Sequence, residues 1–217
     1  MNQLTIIVAT RNRQTKLEAM LKTVPVRAWL EVWVVCDGDR ATYTWLQSDP
    51  YSCVTRVELL TQNRGAVYAR NWLAGDVDDG LLYATDDIVF LNGSVEGAFE
   101  RFAAWFPDDD GVVGFRQLKD HHPTGVAMMG QRFLRRYPKK QLFCPQYFHF
   151  ACQEVLWLAD KLGRFHYDED AVVDHYHPSF NPLYMDQTHI DARIHKREDQ
   201  ALMRERKAAG KIWGMNG

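Results

Sequence analysis

The chain has 217 residues, 46% of them hydrophobic and 25% charged, with a formal net charge of −2. This supplies apolar material for one substantial core and excludes a disordered chain. The near-balanced charge excludes nucleic-acid or membrane binding driven by bulk basic character. No run approaches the roughly 18 apolar residues that span a bilayer, so no membrane insertion is expected. The first residues, Met1-Asn2-Gln3-Leu4, lack a basic stretch leading into an apolar one; a cytoplasmic protein without an export signal is expected. Cys36, Cys53, Cys144 and Cys152 form no CxxC pair and read as free thiols in a reducing compartment.

In chain order, Leu4 to Val8 reads as a buried strand, followed by a polar loop and a helix near Thr15 to Leu21. Leu30 to Cys36 is a second strand ending at Asp37-Gly38-Asp39, and a helix follows through Tyr43 and Leu46. Val54 to Leu60 is a third strand, Gly65 to Leu73 a helix, and Leu81 to Ala84 a fourth strand running into Asp86-Asp87. Ser94 to Phe106 carries Val95, Ala98, Phe99, Phe102 and Phe106 at helical spacing. Beyond it, Val112 to Phe115 and Val126 to Met129 read as short strands, Cys152 to Leu162 as a helix, and Val172-Val173 as a strand before His175. A charged helix is expected from Asp191 to Ala209. Strand–helix alternation implies an α/β fold, mainly a parallel sheet with helices on both faces. Ligands of such sheets bind beyond the carboxyl ends of the strands. Thr10-Arg11, Asp37-Gly38-Asp39, Asn63-Arg64-Gly65 and Asp86-Asp87 all fall at such ends, so four polar clusters converge on one edge.

Each cluster has a chemistry suited to that edge. Asp86 and Asp87 are adjacent carboxylates, and a hard divalent cation takes one or two carboxylates together with substrate phosphate oxygens. Asp37 and Asp39 flank a glycine and suit a base N–H or a ribose hydroxyl; a tight turn accounts for them equally. Asn63-Arg64-Gly65 opens a helix whose N-terminus favours an anion, and Arg64 or Arg70 suits a phosphate in forked geometry. His175 and His177 are two apart and would share one face of a strand, where one could complete a metal shell begun by Asp87. His121-His122 and His166 are weaker alternatives. Glu154, after the aromatic stretch Tyr147-Phe148-His149-Phe150, is the candidate general base.

Together, Thr5 to Arg13, Val34 to Gly38, Asn63-Arg64-Gly65 with Ala69-Arg70-Asn71, and Tyr83 to Ile88 resemble, in order and spacing, family 2 glycosyltransferases. The stretch from Glu154 through Leu162-Gly163-Arg164-Phe165 to His175 is similar to that family's acceptor-side helix and closing histidine. The resemblance implies a GT-A fold, a nucleotide-diphosphate sugar (a UDP-sugar foremost), Mn²⁺ or Mg²⁺, and inversion at the anomeric carbon. It implies Thr10, Arg11 and Asp37 around the nucleotide, Arg64 or Arg70 near the diphosphate, and Asp86 at the ribose or sugar; Asn63 is expected to bind the donor as well. Asp87 would bind metal, His175 could be a further ligand, and Glu154 would be the base. Two departures stand out: Thr85 precedes Asp86-Asp87 where the family often has a third aspartate, and Gln153-Glu154 stands where an acidic pair is common.

A donor-binding half over about 1–115, an acceptor-side half over about 116–190 and a charged tail over 191–217 are expected. From Asp191 to Lys211 the tail carries seven basic residues against four acidic ones, which fits a solvated helix face or contact with a polyanion. The acceptor is a saccharide or another hydroxyl compound, including a hydroxylated base in DNA. A nucleotidyltransferase is an alternative, although Thr10 to Arg13 has no glycine where a phosphate loop would need one. A non-catalytic nucleotide-sugar-binding module is another.

Overall fold

The computed structural model describes residues 1–49, 51–119 and 122–215. One mixed sheet of eight strands runs through the molecule in the order β3-β2-β1-β4-β7-β6-β8-β5. Its strands are β1 (Leu4–Thr10), β2 (Leu30–Asp37), β3 (Val54–Leu60), β4 (Gly80–Thr85), β5 (Ile88–Leu91), β6 (Val112–Gln117), β7 (Ala127–Met129) and β8 (Phe165–His175). The first four are parallel to one another. The short β7 then reverses direction between β4 and β6, and β5 pairs antiparallel with β8.

The sheet is covered on both faces because alternate side chains point to opposite sides. Leu4, Ile6 and Val8 of β1, Val32 and Val34 of β2, and Leu82 and Ala84 of β4 enter one core. There they meet α1 (Gln14–Leu21), α2 (Arg40–Ser48) and α4 (Ser94–Trp105) through Leu17, Leu46 and Phe102. Ile7, Val35, Leu81 and Tyr83 enter the other core, against Val67 and Leu73 of α3 (Ala66–Ala74), Phe133 of the short α5 (Gln131–Leu134) and Leu158 of α6 (Cys152–Leu162).

The expected strands and helices of the first half are present within a residue or two. β5 was not anticipated, and β8 is eleven residues long where only Val172-Val173 had been read as strand. The final helix, α7 (Gln187–Ala208), begins four residues before Asp191, with Asp186 as its cap accepting the His189 N–H. It is not a free tail: Asp191, Asp199 and Arg206 all point inward, to Arg11, to the backbone of 148–150 and to Glu154. No helix among the described residues is long and apolar enough to cross a membrane. The four cysteines are free.

Candidate active site

A cleft of about 340 Å³ opens beyond the carboxyl ends of β1, β2 and β4. Thr10, Arg11, Asp37, Asn63, Arg70, Asp86, Asp87, His175 and His177 all line it. At its floor, Asp86 and Asp87 are each 3% exposed. Thr10 Oγ1 donates to Asp86 Oδ2 at 2.9 Å. Arg13 Nη1 donates to Asp86 Oδ1 at 2.9 Å and to Asp87 Oδ2 at 3.3 Å. Burial pushes Asp87 upward, but hydrogen bonds from His175 and His189 and the charge of Arg13 overcome it and hold the carboxyl well below the usual range. Asp86 goes the other way, raised by burial and by its charged neighbour Asp87 against the pull of Arg13. Adjacent buried carboxylates split in this way because both cannot ionise at equal cost.

Three imidazoles surround Asp87. His175 Nε2 lies 3.3 Å from Asp87 Oδ1 and His189 Nε2 3.3 Å from Asp87 Oδ2. The His177 ring centroid is 5.2 Å from that of His175 and 5.0 Å from that of His189. His175 Nδ1 hydrogen-bonds Gln117 Oε1 at 2.9 Å, while Gln117 Nε2 donates to the His122 carbonyl and fixes the amide's orientation. The Gln117 bond fixes the His175 ring beside the carboxylate, and an imidazole nitrogen next to a carboxylate is a donor pair that suits a divalent cation. Adjacent donors of one octahedral ion, each about 2.1 Å from it, stand about 3.0 Å apart, close to the observed separation. Among the described residues no set of three or more His, Cys, Asp or Glu converges on a metal-sized point. Asp87 and His175 are thus a donor pair whose chemistry fits a divalent cation.

Several expected residues have other partners. Asp37 accepts the Arg64 N–H at 2.7 Å and the Gly65 N–H at 2.8 Å, and burial, the largest influence, leaves its carboxyl raised despite them. The Val67 N–H goes to the Phe148 carbonyl. Donors at the start of α3 that had been expected to meet an anion are therefore already used. The packing there requires glycine: Gly38 and Gly65 have φ of +71° and +88°, and a Cβ on Gly65 would lie 2.7 Å from the Phe148 oxygen. Arg64 is exposed and covers the Tyr68 ring at 4.3 Å, outside the cleft lining. Asn63 Oδ1 accepts the Gly65 N–H.

Arg70 remains. Its Nη2 donates to the Ala84 carbonyl, and its buried Nε has no hydrogen-bond partner among the described residues. No described carboxylate forms an ion pair with it, and burial pulls its pKa down. A recessed guanidinium with spare donors on a cleft wall is suited to an anionic ligand.

Glu154 does not fit the expected base. It is 3% exposed, does not line the cleft, and accepts from Arg206 Nε at 2.5 Å, Arg206 Nη2 at 2.9 Å, Tyr147 Oη at 2.6 Å and the Trp213 N–H at 2.6 Å. Every lone pair directed at these donors is unavailable to a substrate. His166 stacks on Trp105 with centroids 3.9 Å apart, away from the cleft. His121 lies outside the described residues; His122 lines the cleft.

Arg13, Asp186 and His189 are central here and were missed. Arg13 Nε donates to Asp186 Oδ2 at 2.9 Å, and His189 bridges Asp186 and Asp87. The signal was an N-cap aspartate three residues before His189, which sets the helix start at 187 and brings its first turn over Arg13.

No protein-family model matches the chain, and no curated protein matches it in sequence. Solved structures do match in fold. The mannosyltransferase PcManGT from Pyrobaculum calidifontis, in complex with GDP-Man and Mn²⁺, superposes with a TM-score of 0.62 at 17% identity, over 80% of this chain and 56% of that one. S. aureus TarS 1-349 in complex with UDP gives 0.62 at 13% identity, over 79% and 60%. GalNAc-T7 with UDP, GalNAc and Mn²⁺ gives 0.63 at 11% identity, over 81% and 44%. The chain thus has the GT-A fold, and it spans between about two-fifths and three-fifths of these longer proteins.

Proposed function

We propose that this chain is a glycosyltransferase that binds a nucleoside-diphosphate sugar in the cleft and transfers the sugar to a hydroxyl acceptor. The observation that carries the reading is Arg70, which lines the cleft with the paired carboxylates Asp86 and Asp87 and forms no ion pair with a carboxylate among the described residues. A ligand that suits both must be anionic and able to share a cation, and a diphosphate is both. Bound UDP and GDP-Man in proteins of this fold support the class of donor.

In this reading Asp87 and His175 would hold a divalent cation, Mn²⁺ or Mg²⁺, with the His177 ring beside His175. When bound, such a cation neutralises the charge that grows on the departing diphosphate. Arg70 and Arg11 bind diphosphate oxygens and Asp86 orients the ribose or sugar through its fixed bond to Thr10. Asp37 shapes the nucleotide pocket by holding the loop at Asn63 to Gly65. The acceptor hydroxyl attacks the anomeric carbon opposite the diphosphate, inverting it.

Release of nucleoside diphosphate from UDP- and GDP-sugars tests this reading, with slow hydrolysis expected even without acceptor. The burial of Glu154 favours one second reading, a binding module without a base. Tight donor binding with no release, with or without a panel of saccharide and hydroxylated-DNA acceptors, would support the module and refute the transferase.

A further inference from the structure

With Glu154 tied down, the cleft wall offers a different group to take the acceptor's proton. Cys152 is the first residue of the eleven-residue α6, so its sulfur sits at that helix's positive end. It is partly exposed and lines the cleft, as does His122. Cys152 Sγ lies 4.0 Å from His122 Nε2. Arg70, with its unpartnered buried Nε, lines the same cavity. We propose that Cys152, positioned by His122, is the proton acceptor for the attacking hydroxyl, a role that rests on the glycosyl-transfer reading above.

The step balances without another reagent. The acceptor oxygen forms its bond to the anomeric carbon as the bond from that carbon to the diphosphate oxygen breaks. The electron pair leaves with the diphosphate, and the hydroxyl proton passes to the Cys152 sulfur, turning thiolate into thiol. His122 acts as a positioning residue, holding the sulfur. Return of the proton to solvent resets the pair.

The groups facing the sulfur account for its ionisation. Burial opposes the thiolate, but the His122 hydrogen bond, the His122 charge and the charge of Arg70 from α3 outweigh it and lower the thiol below its ordinary range. Among the described residues Tyr83 of β4 is a further titratable neighbour, and burial raises its phenol so that it stays neutral. The remaining cysteines go the opposite way: burial pushes Cys36 up to about 12 and raises Cys53 and Cys144. Cys152 is thus the one cysteine whose thiol is lowered, which gives the proposal a chemical readout independent of turnover.

The test uses the intact chain. Iodoacetamide labelling, followed residue by residue by mass spectrometry, should modify Cys152 first, with a half-maximal rate below the ordinary thiol value of about 8.5. The variant H122Q should move that midpoint upward and shift the acid limb of the kcat/KM profile in the same direction. C152S and C152A should lose roughly 10²- to 10⁴-fold in transfer while keeping the nucleoside-diphosphate thermal shift, which also shows that they fold. A C152A enzyme within threefold of wild type, labelling only at ordinary thiol pH, or a sugar adduct on Cys152 with retained configuration would each overturn the assignment. Wild-type protein that neither binds nor cleaves any nucleotide sugar would instead sink the glycosyl-transfer reading and this role with it.

Discussion

Truncating Glu154 to alanine removes the acceptor of four hydrogen bonds at once and leaves Arg206, 11% exposed at its side chain, without its carboxylate. Breaking one side of a buried ion pair costs about 3–5 kcal/mol, because the surviving charge stays desolvated. Arg206 keeps some contact with water, so the lower end, about 3 kcal/mol, is expected. In a chain of this size each kcal/mol moves Tm by about 2–4 °C, giving a drop of about 6–12 °C. E154Q keeps one oxygen and loses the charge, and should cost about 2 kcal/mol. The pH dependence supplies an internal check. Hydrogen bonds from Arg206, Tyr147 and Trp213 overcome burial and hold the Glu154 carboxyl below the usual range. Its stabilisation is present above the unfolded value of about 4.3 and is lost as pH falls through the lower folded value. Wild type and E154Q should therefore converge in acid. The assay is thermal unfolding and sugar transfer on the same samples. E154Q with wild-type Tm and abolished transfer would refute this reasoning and restore Glu154 as the base.

Other outcomes follow from the same geometry. Asp199 of α7 accepts the backbone N–H groups of Phe148, His149 and Phe150 at 2.9, 2.8 and 3.0 Å; D199A should cost about 2–3 kcal/mol and weaken nucleotide binding, since these three residues line the cleft. Unchanged binding affinity in a folded D199A would contradict the link between α7 and that wall. Burial and then the charges of Arg70 and Arg13 push His149 down to about 4, and burial and then His175 push His177 to about the same value. Both are neutral when folded and charge on unfolding, so stability should fall as pH drops from about 6.5 to about 4, at up to about 1.4 kcal/mol per unit for each. H149Q should remove about half of that decline in urea titrations, and parallel curves would contradict it. G65A should destabilise strongly, because its Cβ would meet the Phe148 oxygen and its φ is positive; unfolding by denaturant would reveal a variant that keeps wild-type stability and so contradicts the packing.

The first four strands were legible because each is a short apolar run ending in a polar cluster, and their parallel pairing brings those clusters to one edge. β5 was not, since Ile88 to Leu91 is four residues long and follows Asp87 without a turn signal. β8 was hidden by a bulge: the register against β6 jumps from Phe115–Asp168 to Arg116–Val172, so Glu169, Asp170 and Ala171 interrupt the alternation a strand should show. Glu154 illustrates a different limit. Its helix was read correctly, but what its carboxylate faces depends on Arg206 and Trp213, more than fifty residues later. Arg13 and His189 likewise acquire meaning only when α7 folds back over β1. Local pattern found the elements and the edge, whereas long-range packing decided which carboxylates were left for chemistry.

The most direct test of the nucleotide-sugar site is thermal unfolding of the chain with UDP and with GDP, with and without Mn²⁺. At about 100-fold excess over Kd a ligand that binds only the folded state adds about 2.7 kcal/mol, a rise of about 5–11 °C here. A rise with one nucleoside diphosphate that requires the metal and is lost in D87N is the predicted result. No rise with either nucleotide up to millimolar concentration, with or without metal, would contradict it and leave the chain with the fold but not the donor site.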